Sequence, residues 1–388
     1  MVIRMLFKTP ELPPEYLAVI QRIEELRKQL RFATSDSLNR WTGFLARMTM
    51  ARAIHGSNTM EGINVTLDDA VAAVDREPPL RPQDDDWHAL VGYREALDYI
   101  IQLAQEPNFN AFNEGTILGL HYMMMKYDPT KNPGRIRPGA IHVTSTATNQ
   151  IVYHGPDAEL VPGLVTELIN ALNAKDGHFL VRAAMAHLNL TMIHPFKDGN
   201  GRMARALQTM VLAREKVLSP IFSSIEEYVG RNTADYYAVL AEVGQGSWHP
   251  ERDALPWIRF CLTAHYRQAT TLLRRIEEMG RLVSALESEL KNRKFNERVL
   301  NALIDAAIDL KVSNPTYRKQ ANISNQVAKI DLINLAGAGL LEKKGERRGR
   351  YYIASDHLRK IREVIRVEHK QEDPFAESDR QQPLPLTR

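Results

Sequence analysis

Apolar residues recur at three- and four-residue spacing through 16–30, 41–55, 87–105, 113–125, 160–174 and 180–193, the period of a helix with one buried face. A mostly α chain is predicted. Two segments depart from that period. Between 135 and 154, Gly134, Pro138 and Gly139 punctuate the chain, and the runs IHVT and IVYH flank STATNQ, which predicts a β-hairpin. From 340 to 354, LLEKK, the turn GERRG and RYYIA predict a second, basic hairpin after several helical segments. The tail KQEDPFAESDRQQPLPLTR is polar and proline-rich, so it is expected to bury too little apolar surface to order itself.

With 388 residues, 44% hydrophobic and 25% charged, the composition is that of a folded chain, and its length predicts two or three domains. The expected divisions are a helical N-terminal region at 1–110, a core at 111–265, a linker helix at 266–290, a basic module at 291–365 and an unordered tail at 366–388. The single cysteine, Cys261, excludes a disulfide framework and a thiolate metal cluster. No apolar run approaches the ~18 residues needed to cross a bilayer, and no secretory leader is evident, so a soluble cytoplasmic protein without a membrane partner is expected. The formal charge of +3 is unevenly placed. Residues 291–362 hold sixteen Lys and Arg against seven Asp and Glu, so the chain divides into +9 there and −6 elsewhere.

The densest chemistry lies in HPFKDGNGRMAR, residues 194–205, between two helical runs. Pro195 disfavours helical geometry at His194, so the preceding helix should end there and leave the imidazole beside a loop. Gly199 and Gly201 permit backbone geometry closed to other residues, which lets the amides of 199–202 converge on an anion at the next helix start. Arg202 and Arg205 share one face of that helix in its first turn. Cations there oppose the helix dipole unless an anionic ligand compensates, and two of them suggest a polyphosphate. Asp198 is placed to meet a Mg²⁺ ion bridging two phosphates, and His194, near its usual pKa of about 6.5, can take a proton from an attacking hydroxyl. GNGRMA also fits the dinucleotide fingerprint, but that motif needs a preceding strand and a helix is predicted here. The bland alternative is a glycine-rich connector with surface arginines.

This stretch resembles the Fic family motif HPFx(D/E)GNGRxxR at every specified position, with Lys197 at the free one. The resemblance runs over about two thirds of the chain. It implies a mostly helical Fic fold, with 111–265 as the catalytic core, and transfer of AMP from ATP, with Mg²⁺, to the Ser, Thr or Tyr hydroxyl of a target protein or of the chain itself. By that resemblance His194 is the base and Asp198 the Mg²⁺ ligand. Lys197, Gly199, Asn200 and Gly201 lie on the phosphates, and Arg202 and Arg205 take the β and γ phosphates. GRNTADYYAVL resembles the family's NRxxYY element, which places Asn232, Tyr236 and Tyr237 by the adenine; ordinary helix packing is the alternative. The first hairpin resembles the Fic flap, whose strand Ile151, Val152, Tyr153 and His154 would pair with the target peptide.

SNTMEG, Ser57 to Gly62, resembles the family's inhibitory motif (S/T)xxxE(G/N). Ser57 can cap a short helix, Glu61 follows one turn later, and Gly62 can end it with a positive φ. A carboxylate beside Arg205 would occupy donors that the γ-phosphate needs. The last module, with helices expected at 295–308, after Pro315 and after Ser324, followed by the basic hairpin, resembles a winged helix-turn-helix. Helix 325–335 would enter a major groove, with Lys343, Lys344, Arg347, Arg348 and Arg350 on phosphates; the alternative is a protein contact, since that helix is poor in base-reading side chains. His121, His142, His154 and His187 show no metal-ligand spacing. The expectation is therefore a Fic-fold helical domain with a β-hairpin flap and a C-terminal winged helix, acting as an autoinhibited adenylyltransferase. The alternatives are a nucleotide-sensing DNA-binding regulator and a Fic enzyme that transfers another nucleotide or removes AMP. A second copy of the chain is a further candidate partner.

Overall fold

The helical period of the N-terminal half is realised as α1 (Pro14–Thr34), α2 (Thr42–Thr59), α3 (Leu67–Val74), α4 (Asp85–Gln105) and α5 (Glu114–Met125). Then come the hairpin β1 (His142–Thr144) and β2 (Ile151–His154), and α6 (Val161–Ala174), α7 (Phe179–Ile193), α8 (Asn200–Arg214), α9 (Pro220–Ser223), α10 (Glu226–Arg231), α11 (Thr233–Gly244) and α12 (Leu255–Asn292). The last module holds α13 (Leu300–Ala307), α14 (Asn314–Ala321), α15 (Asn325–Gly337), β3 (Leu341–Lys344), β4 (Tyr351–Ala354) and α16 (Asp356–Ile365). This computed structural model describes residues 6–34, 42–79, 83–106, 110–145, 148–215, 220–346, 349–366 and 372–376. Arg347 and Arg348, expected on the basic hairpin, lie outside the described residues.

α7 and α8 form the centre of the larger core. Nearly every side chain of α7 is buried, polar ones included, as in a helix surrounded by others. Its Asn189 answers for two buried backbone groups, taking the Phe7 amide at 2.9 Å and giving to the Phe7 carbonyl at 3.2 Å. α2 crosses α10 at a contact only glycine allows. A Cβ on Gly230 would stand 2.5 Å from the Gly56 Cα, and one on Gly56 would stand 2.8 Å from the Glu226 carbonyl oxygen.

A second core gathers the end of α12 with α13–α16. The expected division at 265/266 is corrected: no break separates core from linker, because α12 is one 38-residue helix, about 57 Å long, whose apolar side faces each core in turn. Ser313 and Ser324 cap α14 and α15, and the β3–β4 hairpin is joined by Val312, which exchanges two 2.8 Å bonds with Tyr352. Arg47 on α2 ties the halves together, gripping Asp75 at 2.7 Å and the buried Asp305 of α13 at 2.8 Å. The expectation of a wholly unordered tail is also corrected. Phe375 is 1% exposed, edge-on to Tyr16 at 5.1 Å and beneath the Arg259 guanidinium at 4.2 Å. One aromatic in a polar segment suffices when a slot lined by ring and guanidinium is waiting for it.

Candidate functional site

Pro195 does end α7, and His194 closes it in the left-handed region at φ +51° while its amide still gives to the Leu190 carbonyl. The imidazole Nδ1 lies 3.1 Å from the Thr191 carbonyl. A carbonyl only accepts, so Nδ1 carries the hydrogen and Nε2 keeps its lone pair. Burial pushes the His194 pKa down, which keeps the ring neutral at physiological pH.

The loop that follows is fixed from both sides. Asn200 takes the Phe196 amide and gives to the Phe196 carbonyl, both at 2.9 Å. The Phe196 ring stacks on His121 with centroids 3.8 Å apart. His121 accepts from the Gly134 amide at Nδ1, 2.9 Å, so its Nε2–H gives to the Asp198 carbonyl at 3.0 Å. Burial pushes this histidine down to about 4, which keeps it neutral, and the two hydrogen bonds fix its tautomer. Gly199 then turns the chain at φ +75°, and α8 starts with the first-turn amides of Asn200, Gly201 and Arg202 directed out of its end.

Both arginines are buried at 2% exposure, and their donors are incompletely matched. Arg202 gives one nitrogen to the Met125 sulfur at 2.9 Å, while its Nε and second terminal nitrogen are buried without partners. Arg205 gives Nε to the Ser57 hydroxyl at 2.7 Å, and one terminal nitrogen to the Ser57 carbonyl at 2.9 Å and the Glu61 carboxylate at 2.6 Å. Its other terminal nitrogen is buried and unpartnered. Buried cationic donors left open beside a helix N-terminus are a site for an anion.

Asp198 takes the Gly199 amide at 2.6 Å and Lys131 at 2.9 Å. Burial opposes its charge, but these donors outweigh it and hold the carboxyl below the usual range. Among the described residues no cluster of three or more His, Cys, Asp or Glu could cage a metal. A single carboxylate of this kind can share a Mg²⁺ ion with a ligand's phosphates, the way that ion commonly binds. Lys197 does not join the cluster; it is exposed and gives to the Thr130 carbonyl at 2.9 Å.

The SNTMEG segment takes another form than the one expected. Ser57 does not cap a short helix: it lies in the last turn of α2, which carries on through Gly56 to Thr59. Glu61 follows in the turn and Gly62 has φ +76°. Gly201 admits the carboxylate, since a Cβ there would stand 2.3 Å from Glu61 Oε1.

The three residues expected by the adenine stand in different surroundings. Tyr236 is 1% exposed and faces the core, where its hydroxyl meets His187 Nε2 at 3.0 Å beside Trp257. This agrees with ordinary helix packing and leaves Tyr236 no open face for a base. Tyr237 is half-exposed and gives its hydroxyl to the Met60 carbonyl at 3.2 Å; Asn232 ties α10 to α11 through the Tyr228 carbonyl at 2.8 Å. In the hairpin, Ile151 and Val152 are half-exposed, Tyr153 is anchored to the Met192 carbonyl at 2.9 Å, and the His154 amide gives to the Gly246 carbonyl at 2.9 Å. Sequence reasoning passed over His121, Lys131 and Arg137, the last clamping the His194 carbonyl at 2.9 Å, because nothing near them in the chain marks them.

Fold and cluster together define a helical anion-binding centre served by a neutral histidine. Residues 111–212 match the Fic/DOC family. It is 28% identical over 266 residues to "Protein adenylyltransferase Fic" of Nematostella vectensis, covering 66% of this chain and 55% of that one. It is 39% identical over 164 residues to "Protein adenylyltransferase fic-1" of Caenorhabditis elegans, covering 42% and 30%. The chain thus spans about half the length of the first and under a third of the second. A Fic family protein from Desulfovibrio desulfuricans G20 shares the fold, with TM-score 0.59 and 21% identity over 91% of this chain and 99% of that one.

Proposed function

We propose that the protein transfers AMP from ATP to a hydroxyl side chain of a protein, and that Glu61 restrains the reaction. The observation that carries this is the set of three buried, unpartnered guanidinium nitrogens of Arg202 and Arg205 beside a neutral histidine. His194 Nε2 takes the proton of the acceptor hydroxyl as its oxygen bonds to the α-phosphorus. The bond from that phosphorus to the β-bridging oxygen breaks, and pyrophosphate leaves with the electron pair. The amides of 200–202 and the two arginines receive the charge that gathers on the leaving phosphates. Bound through Asp198, Mg²⁺ would supply charge neutralisation on the phosphates. The names of the relatives support the choice of AMP. The test is incubation of the chain and its Glu61→Gly form with labelled ATP, GTP, UTP and CTP, with label expected on protein from ATP alone; protein label from another nucleotide in preference would overturn the donor.

Asp198→Ala should lose Mg²⁺-dependent transfer, since no second carboxylate sits in the loop, while Lys131 becomes free. A Mg²⁺ titration of rate checks this, and an unchanged titration refutes the assignment.

For the C-terminal module a winged-helix reading is supported by the cap–helix pattern, the Val312 bridge and the exposed Lys329, Lys343 and Lys344. Among the described residues, seven of its basic side chains are already paired with carboxylates of the chain, so fewer remain for a polyanion than composition suggests. Duplex DNA should bind weakly and lose affinity steeply as salt rises. Binding measured by fluorescence anisotropy that ignores salt, or is absent, points to a protein partner instead. Among the described residues no helix is long and apolar enough to cross a membrane.

A further inference from the structure

The centre is braced in two halves by different residues. The anion half rests on His121, Phe196 and Asn200, as described. The other half converges on Arg137, between α5 and β1. Arg137 is 4% exposed, and among the described residues its guanidinium forms no ion pair with a carboxylate. Its donors go to main-chain carbonyls instead. Nε gives to His194 at 2.9 Å, and the two terminal nitrogens give to Gly139 at 2.5 Å and Pro156 at 2.6 Å; its own amide gives to the Pro195 carbonyl at 2.9 Å. Gly139 leads into β1 and Pro156 follows β2, so these acceptors are the two stems of the hairpin and the backbone of the histidine itself. The stems run close: a Cβ on Gly155 would stand 2.8 Å from Ile141 and 3.3 Å from the Arg137 guanidinium.

We propose that Arg137 is a positioning residue for the acceptor side of the reaction, locking the hairpin to the main chain of His194 so that a hydroxyl carried by a strand-paired target arrives at Nε2. The inference rests on the transfer reading above. A planar guanidinium with donors in a fixed fork suits this task, because it sets the angle between three carbonyls at once, whereas an ammonium is a single point. The clamp also holds His194 in its left-handed backbone conformation, which costs energy for a residue with a Cβ and persists only when its surroundings enforce it. Among the described residues, Arg137 makes no hydrogen bond to His121, Phe196, Asn200, Arg202 or Arg205, and its loss should leave nucleotide binding intact.

Arg137→Lys and Arg137→Met test this, each made in the Glu61→Gly chain, with a tagged His194→Ala copy of the protein as acceptor. ATP affinity is measured by calorimetry, transfer by labelled AMP, and hydrogen–deuterium exchange is followed at 139–156 and at 198–205. The expected result is a loss of about ten- to a hundredfold in kcat/KM for the acceptor, the scale of a misplacement near 1 Å. ATP affinity stays unchanged, exchange quickens at 139–156 only, and lysine retains more than methionine. Unchanged transfer, unchanged hairpin exchange, or ATP affinity falling in step with transfer would each overturn it. If the Glu61→Gly parent itself transfers no AMP, the transfer reading is what fails, and the exchange pattern still decides whether Arg137 braces the hairpin separately from the anion half.

Discussion

Replacing Glu61 by glycine should raise AMP labelling of the protein about ten- to a hundredfold. The carboxylate holds one terminal nitrogen of Arg205 at 2.6 Å, and Arg205 is buried, so the pair forms in a setting where screening is weak. A charge-assisted bond of this kind contributes roughly 1.5–3 kcal/mol, and the same free energy applied to the orientation of the γ-phosphate gives that range of rate. The change also clears the space above Gly201, where Glu61 Oε1 lies closer than a methyl group could. The effect should act through the arginine: Glu61→Gly combined with Arg205→Ala should return to low activity, a coupling measured as a double-mutant cycle. If Glu61→Gly changes neither labelling nor ATP affinity, the Glu61–Arg205 pair is a structural contact and carries no restraint.

His194→Ala, made in the Glu61→Gly chain, should lower transfer by about a hundred- to ten-thousandfold, the contribution of a well-placed general base. ATP should bind as before, because no amide or guanidinium donor of the anion half is removed; calorimetry beside the labelling assay separates the two. The pH profile is a second check. Burial depresses the His194 pKa, so the ring stays unprotonated until the pH drops below the ordinary histidine value of about 6.5. The acid limb of transfer should therefore lie below that value. A limb at higher pH, or loss of ATP binding in a folded His194→Ala chain, counts against the base.

The loop at 194–205 was legible because each of its parts has a local cause: proline ends one helix, glycine turns the chain, and the next helix begins. His121 and Arg137 were not, because the site carbonyls they hold, those of Asp198 and His194, lie 77 and 57 residues away and neither residue type is unusual where it stands. Ser57 shows how a sequence pattern can be present without the local geometry expected of it. A serine four residues before a glutamate and a glycine reads as a cap, but a serine late in a long helix offers the same hydroxyl to Arg205. Tyr236 and Tyr237 differ for a reason that adjacency cannot reveal. Neighbours on a helix point about 100° apart, and here one direction meets His187 and Trp257 while the other meets the turn at Met60. Phe375 was lost to composition, which averages one aromatic into a polar tail.

The glycine crossing of α2 and α10 bears on how fast the restraint can lift. With Gly56 and Gly230 in backbone contact, the end of α2 that carries Glu61 cannot rise without dragging α10, and through Asn232 the helix that bears Tyr237. A lid that swings on a hinge would work in microseconds to milliseconds; a side chain turning about its own bonds works in nanoseconds or less. On the proposal that Glu61 restrains transfer, the crossing holds the helix before its turn and favours the second kind of motion. Withdrawal of Glu61 is then a rotamer equilibrium that a triphosphate can compete against directly, and at saturating ATP the resting rate should report the small fraction of molecules whose glutamate has turned away.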